Sequence, residues 1–119
     1  MIGCDLLDSR RIEKIYAKYG QRFLNKVFTQ HEQEQAFIKK ECILRFCKLF
    51  SAKEAAIKAI GNYHGIKWHD FEITHDEFGK PHIEIKGQAH LNIPFPYKSW
   101  VTLSDEIPFV MAVVYLQPI

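Results

Sequence analysis

Three side chains have the types and spacing to act on a phosphate-bearing substrate: Asp5, Glu54 and Lys58. Glu54 and Lys58 stand four residues apart in "LFSAKEAAIKAIG", residues 49–61, a stretch with helical periodicity. Residues turn about 100° each around a helix axis. Measured from Glu54, Ile43, Phe46, Cys47, Phe50 and Ile57 all fall within about 80°. Arg45 stands near the opposite pole and marks the expected solvent side. Glu54 therefore lies in the middle of an apolar arc. A buried carboxylate must be neutralised, paired or bound to a cation. Lys58, about 40° away, offers an intrahelical ion pair. The other reading makes Glu54 a ligand of a hard cation, with Lys58 beside it for a phosphate. That cation needs another oxygen ligand. Asp5, which interrupts the apolar stretch "IGCDLL", offers one, although a strand-end aspartate that caps a loop explains it equally well.

The chain of 119 residues fits one domain, residues 1–119, with a modest core. Its 47% hydrophobic and 25% charged residues describe a soluble globular profile and exclude disordered and fibrous classes. No apolar run reaches membrane-spanning length, and the N-terminus lacks the pattern of a signal peptide. Cys4, Cys42 and Cys47 form no CxxC pair, which points to free thiols in a reducing cytoplasm. The six histidines show no tight metal spacing and read as surface or satisfied polar residues. The net charge of +2 is unevenly spread. Residues 9–26 hold six cations (Arg10, Arg11, Lys14, Lys18, Arg22 and Lys26) against Glu13 alone, a local charge of +5. Such a patch suits an acidic partner or a phosphorylated ligand, but it also suits a plain solvated helix face.

The elements that must position these residues follow from local pattern. "IGCDLL" reads as a strand. Ser9 is placed to cap a helix that runs to about Tyr19, with Gly20 as its stop and Ile12, Ile15, Tyr16 and Tyr19 as its buried stripe. A short helical piece follows at "RFLNKVF". Thr29 and Glu32 have capping-box spacing and start another helix. The long helix ends near Ile60. "DFEITHD" and "HIEIKG" alternate across a turn at "EFGKP". "GQAHLN" reads as a short helical turn. "SWVTLSDE" and "FVMAVVYL" read as strands separated by Pro108. The last strand is apolar on both faces, which predicts cover on both, one from another subunit. The predicted fold is α+β: an N-terminal strand, several helices including one long one, then a small, mostly antiparallel sheet.

Four segments in order resemble the bacterial holo-acyl-carrier-protein synthases, a group of 4′-phosphopantetheinyl transferases. "IGCDLLDSRRIEK" resembles that family's "GTD" segment followed by "RIE". "FSAKEAAIKAIG" resembles "FAxKEAxxKA(F/L)G". "HDEFGKPHI" resembles "NDExGKPxI". "VTLSDE" and the apolar last strand resemble a closing "SLSH" or "TLAD" segment. The resemblance runs nearly end to end.

It implies transfer of phosphopantetheine from coenzyme A to a serine of apo-acyl carrier protein, with adenosine 3′,5′-bisphosphate as the other product and magnesium as the metal. By position, Asp5 and Glu54 match the family's metal ligands and Lys58 the lysine beside the phosphates. Ser51 and Lys53 lie in the same block, and Lys53 is grouped with the coenzyme-binding residues. Gly61 matches the glycine that opens the coenzyme loop, and Gly79, Lys80 and Pro81 the turn near the nucleotide. Ser104 and Asp105 match the segment lining the coenzyme pocket. Arg11, and Lys14 one turn on, face the acidic carrier protein. The serine proton goes to water on the metal, or failing that to Glu54. The resemblance also implies a cytoplasmic homotrimer with active sites between subunits, without nucleic acid or membrane as partners. Leu49 replaces an arginine of the pattern, "GNYHG" a glycine–threonine–glycine loop, and Asp105 the histidine of many members. Two other classes remain. A metal-dependent nuclease needs a third acidic ligand and a basic groove. A non-catalytic coenzyme A-binding module uses the basic helix for docking alone.

Overall fold

The structure is a computed structural model that describes all residues from Met1 to Ile119. Strand β1 (Ile2–Asp8) opens the chain, and four helices follow: α1 (Ser9–Tyr19), α2 (Gln21–Val27), α3 (Gln30–Phe37) and α4 (Cys42–Ile60). A single 3-10 turn at Trp68–Asp70 leads into the hairpin of β2 (Phe71–His75) and β3 (Pro81–Ile85). Helix α5 (Gly87–Leu91) precedes β4 (Tyr97–Glu106) and β5 (Phe109–Pro118). The strands form two antiparallel sheets rather than one. β5 lies between β1 and β4, and β2 pairs only with β3. Ser99 Oγ donates to the Ile83 carbonyl at 2.9 Å and ties the second sheet to the first.

α4 is the axis of the molecule. It packs against β1 and β5 on one side and against α1, α3 and β2 on others. Alternation on β5 sends Val110, Ala112, Val114 and Leu116 inward, all buried. Gly3 makes the tightest approach. A Cβ there would collide with the Ala55 carbonyl and the Ala59 amide of α4. The bare glycine and the alanines at 52, 55, 56 and 59 let the strand backbone lie on the helix backbone. Asp5, two residues on, is thereby held against the next turn of α4. No helix is long and apolar enough to cross a membrane.

Several local expectations change. Asp8, not Ser9, caps α1: its carboxylate accepts from the Arg10 amide at 3.0 Å. Aspartate caps as well as serine does, and Ser9 is instead buried as the first helical residue. Arg10 also turns its guanidinium back onto Asp8 at 2.6 Å, and that bond holds the carboxyl below its usual range. Tyr19 leaves the buried stripe and is exposed. Thr29 and Glu32 do form a capping box. The cysteines are free. Burial pushes the Cys47 thiol up to about 12, so it behaves as a packing group.

Candidate active site

Asp5 points from β1 toward α4, opposite Ala112 on the central strand. Ser51, Glu54 and Lys58 face it from the helix, spaced i, i+3, i+7 along one side. Ser51 Oγ donates to Asp5 Oδ2 at 2.8 Å. Lys58 Nζ lies 3.1 Å from Asp5 Oδ1 and 3.2 Å from the Cys4 carbonyl. The cation of Lys58 is thus taken by Asp5 across the strand and not by Glu54 within the helix. None of the five ion pairs includes Glu54. Burial, and next the charge of Asp5, push the Glu54 carboxyl up from its ordinary value, while Lys58 and Arg11 pull it down. Two carboxylates and one lysine therefore converge on one spot, and Glu54 is the group still short of positive charge.

These donors fit a magnesium ion. Oxygen ligands suit a hard cation, and magnesium takes one or two carboxylates and completes its shell with water and substrate phosphate. No third histidine, cysteine, aspartate or glutamate joins the pair. That leaves positions open for substrate, and it denies the nuclease reading its further acidic ligand.

Lys53 departs from expectation. Its side chain is fully buried and pairs with the equally buried Glu32 at 2.7 Å. Its ammonium also donates to the carbonyls of Val27 and Phe71, each at 2.8 Å. Such a group is out of reach of a ligand. The helical position is the reason: Lys53 faces α3 and β2, not β1.

A second cluster forms on another side of α4. Arg45 and Lys48 line two adjoining recesses of about 330 and 310 Å³ together with His75, Gly79 and Leu103. Lys48 reaches Asp105 at 2.9 Å. Pro81 lines the smaller recess. Burial, then Arg45 and Lys48, push the His75 imidazole down toward its neutral form. This cradle is mixed in charge: Arg45, Lys39 and Lys48, the last paired with Asp105, stand with Glu41, Asp76 and Glu77. The expected nucleotide residues Gly79, Pro81 and Asp105 meet there, but Lys80 turns its amine toward the Trp100 ring at 5.5 Å. Asp76 orders the intervening turn by accepting from the amides of Phe78 and Lys80. Ser104 lies on the opposite face of β4 from Leu103. Gly61 ends α4 at φ 79°, one turn past the Ile57 carbonyl that its amide bonds. Arg45, expected at a plain solvent pole, is half-buried here, and His75 carried no sequence signal beyond its type.

The basic helix borders a third feature. Ile15, Phe23, Phe50 and Trp68 line an apolar recess of about 520 Å³, with Arg22 and Lys26 at its edge. Arg11 lies 6.0 Å over the Phe50 ring. Arg11 and Lys14 are exposed. The recess was hidden in the sequence because its apolar residues come from four separate segments.

Comparisons with known proteins identify the family. Residues 1–112 match the model of the 4′-phosphopantetheinyl transferase superfamily. A holo-[acyl-carrier-protein] synthase of Vibrio cholerae is 37% identical over 98% of this chain and 95% of its own length. One of Maricaulis maris is 35% identical over 98% of this chain and 87% of its own. Among solved structures, a Bacillus anthracis holo-(acyl-carrier-protein) synthase in complex with CoA (3′,5′-ADP) superposes with a TM-score of 0.81, at 27% identity over 98% of this chain and 95% of that one. With a family model that spans all but the last seven residues and relatives aligned nearly end to end, the chain belongs to the 4′-phosphopantetheinyl transferase superfamily.

Proposed function

We propose that this chain transfers 4′-phosphopantetheine from coenzyme A to a serine of apo-acyl carrier protein in the cytoplasm, with magnesium as cofactor and adenosine 3′,5′-bisphosphate as the second product. The observation that carries this reading is the convergence of Asp5, Glu54 and Lys58 where β1 meets α4, in a chain of this family. Asp5 and Glu54 would hold the ion. A divalent cation so held neutralises charge on pyrophosphate oxygens and leaves room for substrate. The Lys58 ammonium lies close enough to stabilise charge on the departing phosphate. A water at the site, or failing that Glu54, would take the serine proton. The cradle of Arg45, Lys48 and His75 suits the phosphate of the nucleotide end, beside Gly79 and Pro81. The apolar recess, edged by Arg22 and Lys26, with Arg11 over its Phe50 and Lys14 exposed on the same helix as Arg11, suits an acidic helix that presents an apolar side chain.

Intact-mass spectrometry tests the reaction. An apo-carrier protein incubated with this chain, coenzyme A and magnesium is expected to gain one phosphopantetheine. An unchanged mass rejects transfer and leaves the coenzyme-binding module. Reversing Arg11 and Lys14 to Glu is expected to raise the apparent KM for the carrier about tenfold, with salt doing the same to the wild type. The KM for coenzyme A should stay put; if it rises instead, the basic helix serves the nucleotide.

The site is completed by a second copy of the chain in this reading. Lys48 and Arg45 stand about 120° and 180° around α4 from Glu54. One protomer's phosphate cradle therefore looks away from its own carboxylates. The outer face of the three-stranded sheet supplies the contact. Ile2 and Leu6, 67% and 68% exposed, sit in register with Tyr115 and Met111, and Phe109 and Trp100 extend the patch. A contiguous apolar face of this kind marks an interface. Ser104 shares it, opposite Met111, and in this reading would serve a neighbouring subunit's site. A homotrimer is expected in sedimentation at micromolar concentration. A fully active monomer would refute it.

A further inference from the structure

Ser51 is fully buried inside α4, where serine gives the helix less than alanine would. Its hydroxyl does not turn back to a carbonyl of its own helix. It leaves α4 and donates to Asp5 Oδ2 at 2.8 Å, while the Asp5 carbonyl stands 3.2 Å off. A hydroxyl has one proton to give, and the shorter contact takes it. The other carboxylate oxygen, Oδ1, faces the side where Lys58 stands at 3.1 Å. The two oxygens of Asp5 are therefore unlike. One is bonded to a buried donor, and the other looks toward Lys58, whose side chain is 49% exposed.

We propose that Ser51 is a positioning residue that makes Asp5 a one-oxygen ligand and thereby sets the site's preference for magnesium over larger hard cations; this rests on the metal reading above. The bond from Ser51 fixes the rotation of the carboxylate about its Cβ–Cγ bond. Oδ1, on the Lys58 side, is then the oxygen best placed for a cation, and rotation that would bring both oxygens onto one ion is opposed. Magnesium demands near-octahedral geometry and single-oxygen carboxylate ligands, whereas calcium takes more oxygens and accepts a carboxylate through both. A carboxylate without its donor is free to rotate and to offer both oxygens. Magnesium then loses a fixed ligand, and calcium loses little or gains. Groups that orient a metal's ligands commonly change affinity by about 10–100-fold.

The test uses the full chain, freed of metal by a chelator and titrated calorimetrically with magnesium chloride and, separately, with calcium chloride. Ser51→Ala is expected to raise the magnesium Kd about tenfold and to move the calcium Kd less than about twofold. Alanine favours the helix but leaves Asp5 Oδ2 without its donor, so the metal-free variant should unfold at a lower midpoint and is titrated well below it. A variant that binds magnesium like the wild type overturns the inference. So does one that loses both ions in equal measure, since a purely structural role would do that. Asp5→Asn separates the two levels. If it binds magnesium normally, the metal reading itself falls. If it abolishes binding while Ser51→Ala changes neither constant, only the role of Ser51 falls.

Discussion

Glu54→Gln is expected to abolish magnesium binding and to slow turnover roughly a thousandfold, while the metal-free fold stays as stable as the wild type or gains slightly. Burial and the Asp5 charge raise the Glu54 carboxyl. A carboxyl raised on folding stabilises the native state while it is protonated, below the unfolded carboxylate range. That contribution is lost as pH rises through the folded value. At neutral pH the ionised side chain therefore weighs against the fold, and no ion pair offsets it. Glutamine has nearly the same shape and no charge, so the fold has nothing to lose. A hard cation loses an anionic ligand, however, and amides replace carboxylates poorly. Asp5→Asn should lose the same ion. The measurement is paired: thermal unfolding with and without magnesium, and turnover across a magnesium titration. A Glu54→Gln protein that unfolds easily yet keeps its magnesium dependence would defeat the ligand assignment and return Glu54 to a structural role.

How much of this was legible depends on how local each signal is. Glu54 stood out because one charge broke an apolar arc within a single helix, and Asp5 because it broke an apolar strand. Both anomalies fall at the site. The capping box at Thr29 and Glu32 and the turn at Gly79 were equally local. Lys53 was misread for the opposite reason. A helical wheel drawn from one arc assumes one buried side, but α4 is covered on several. The lysine lies on a side whose cover comes from α3 and β2, which the wheel does not contain. Glu32 was recognised as a cap and missed as an ion-pair partner because its second role needs the long-range approach of α4. The cradle of Arg45, Lys48 and His75 is assembled from separate segments, so no spacing announces it. The two-faced apolarity of β5 was legible; in the chain by itself its outer residues Met111 and Tyr115 are exposed.

Lys53→Met is expected to destabilise the protein by about 3–5 kcal/mol, the second-largest effect, without altering coenzyme affinity in the protein that remains folded. Lys53 and Glu32 are both fully buried, and the network around them is closed. Glu32 Oε1 accepts from the Thr29 amide at 2.9 Å and Oε2 from the Ile73 amide at 2.9 Å. Lys53 joins the end of α2, through Val27, to the start of β2, through Phe71. Burial pushes the ammonium down from its ordinary value, and the Glu32 carboxylate works against that shift. Methionine fills similar volume, so the change leaves little cavity. What it leaves is an uncompensated carboxylate inside the core and the carbonyls of Val27, Trp68 and Phe71 without their donor, and stranding a buried charge is the costly event. Adding Glu32→Leu removes the stranded charge and should recover part of the loss, which a double-mutant cycle reads as a coupling between the two sites. Chain concentration is held fixed, because the proposed assembly would add to apparent stability. Thermal unfolding of the four proteins, with the KM for coenzyme A measured well below their midpoints, decides the matter. If Lys53→Met unfolded like the wild type but bound coenzyme A weakly, the lysine would belong to the coenzyme site after all, and its burial against Glu32 would describe only a resting arrangement.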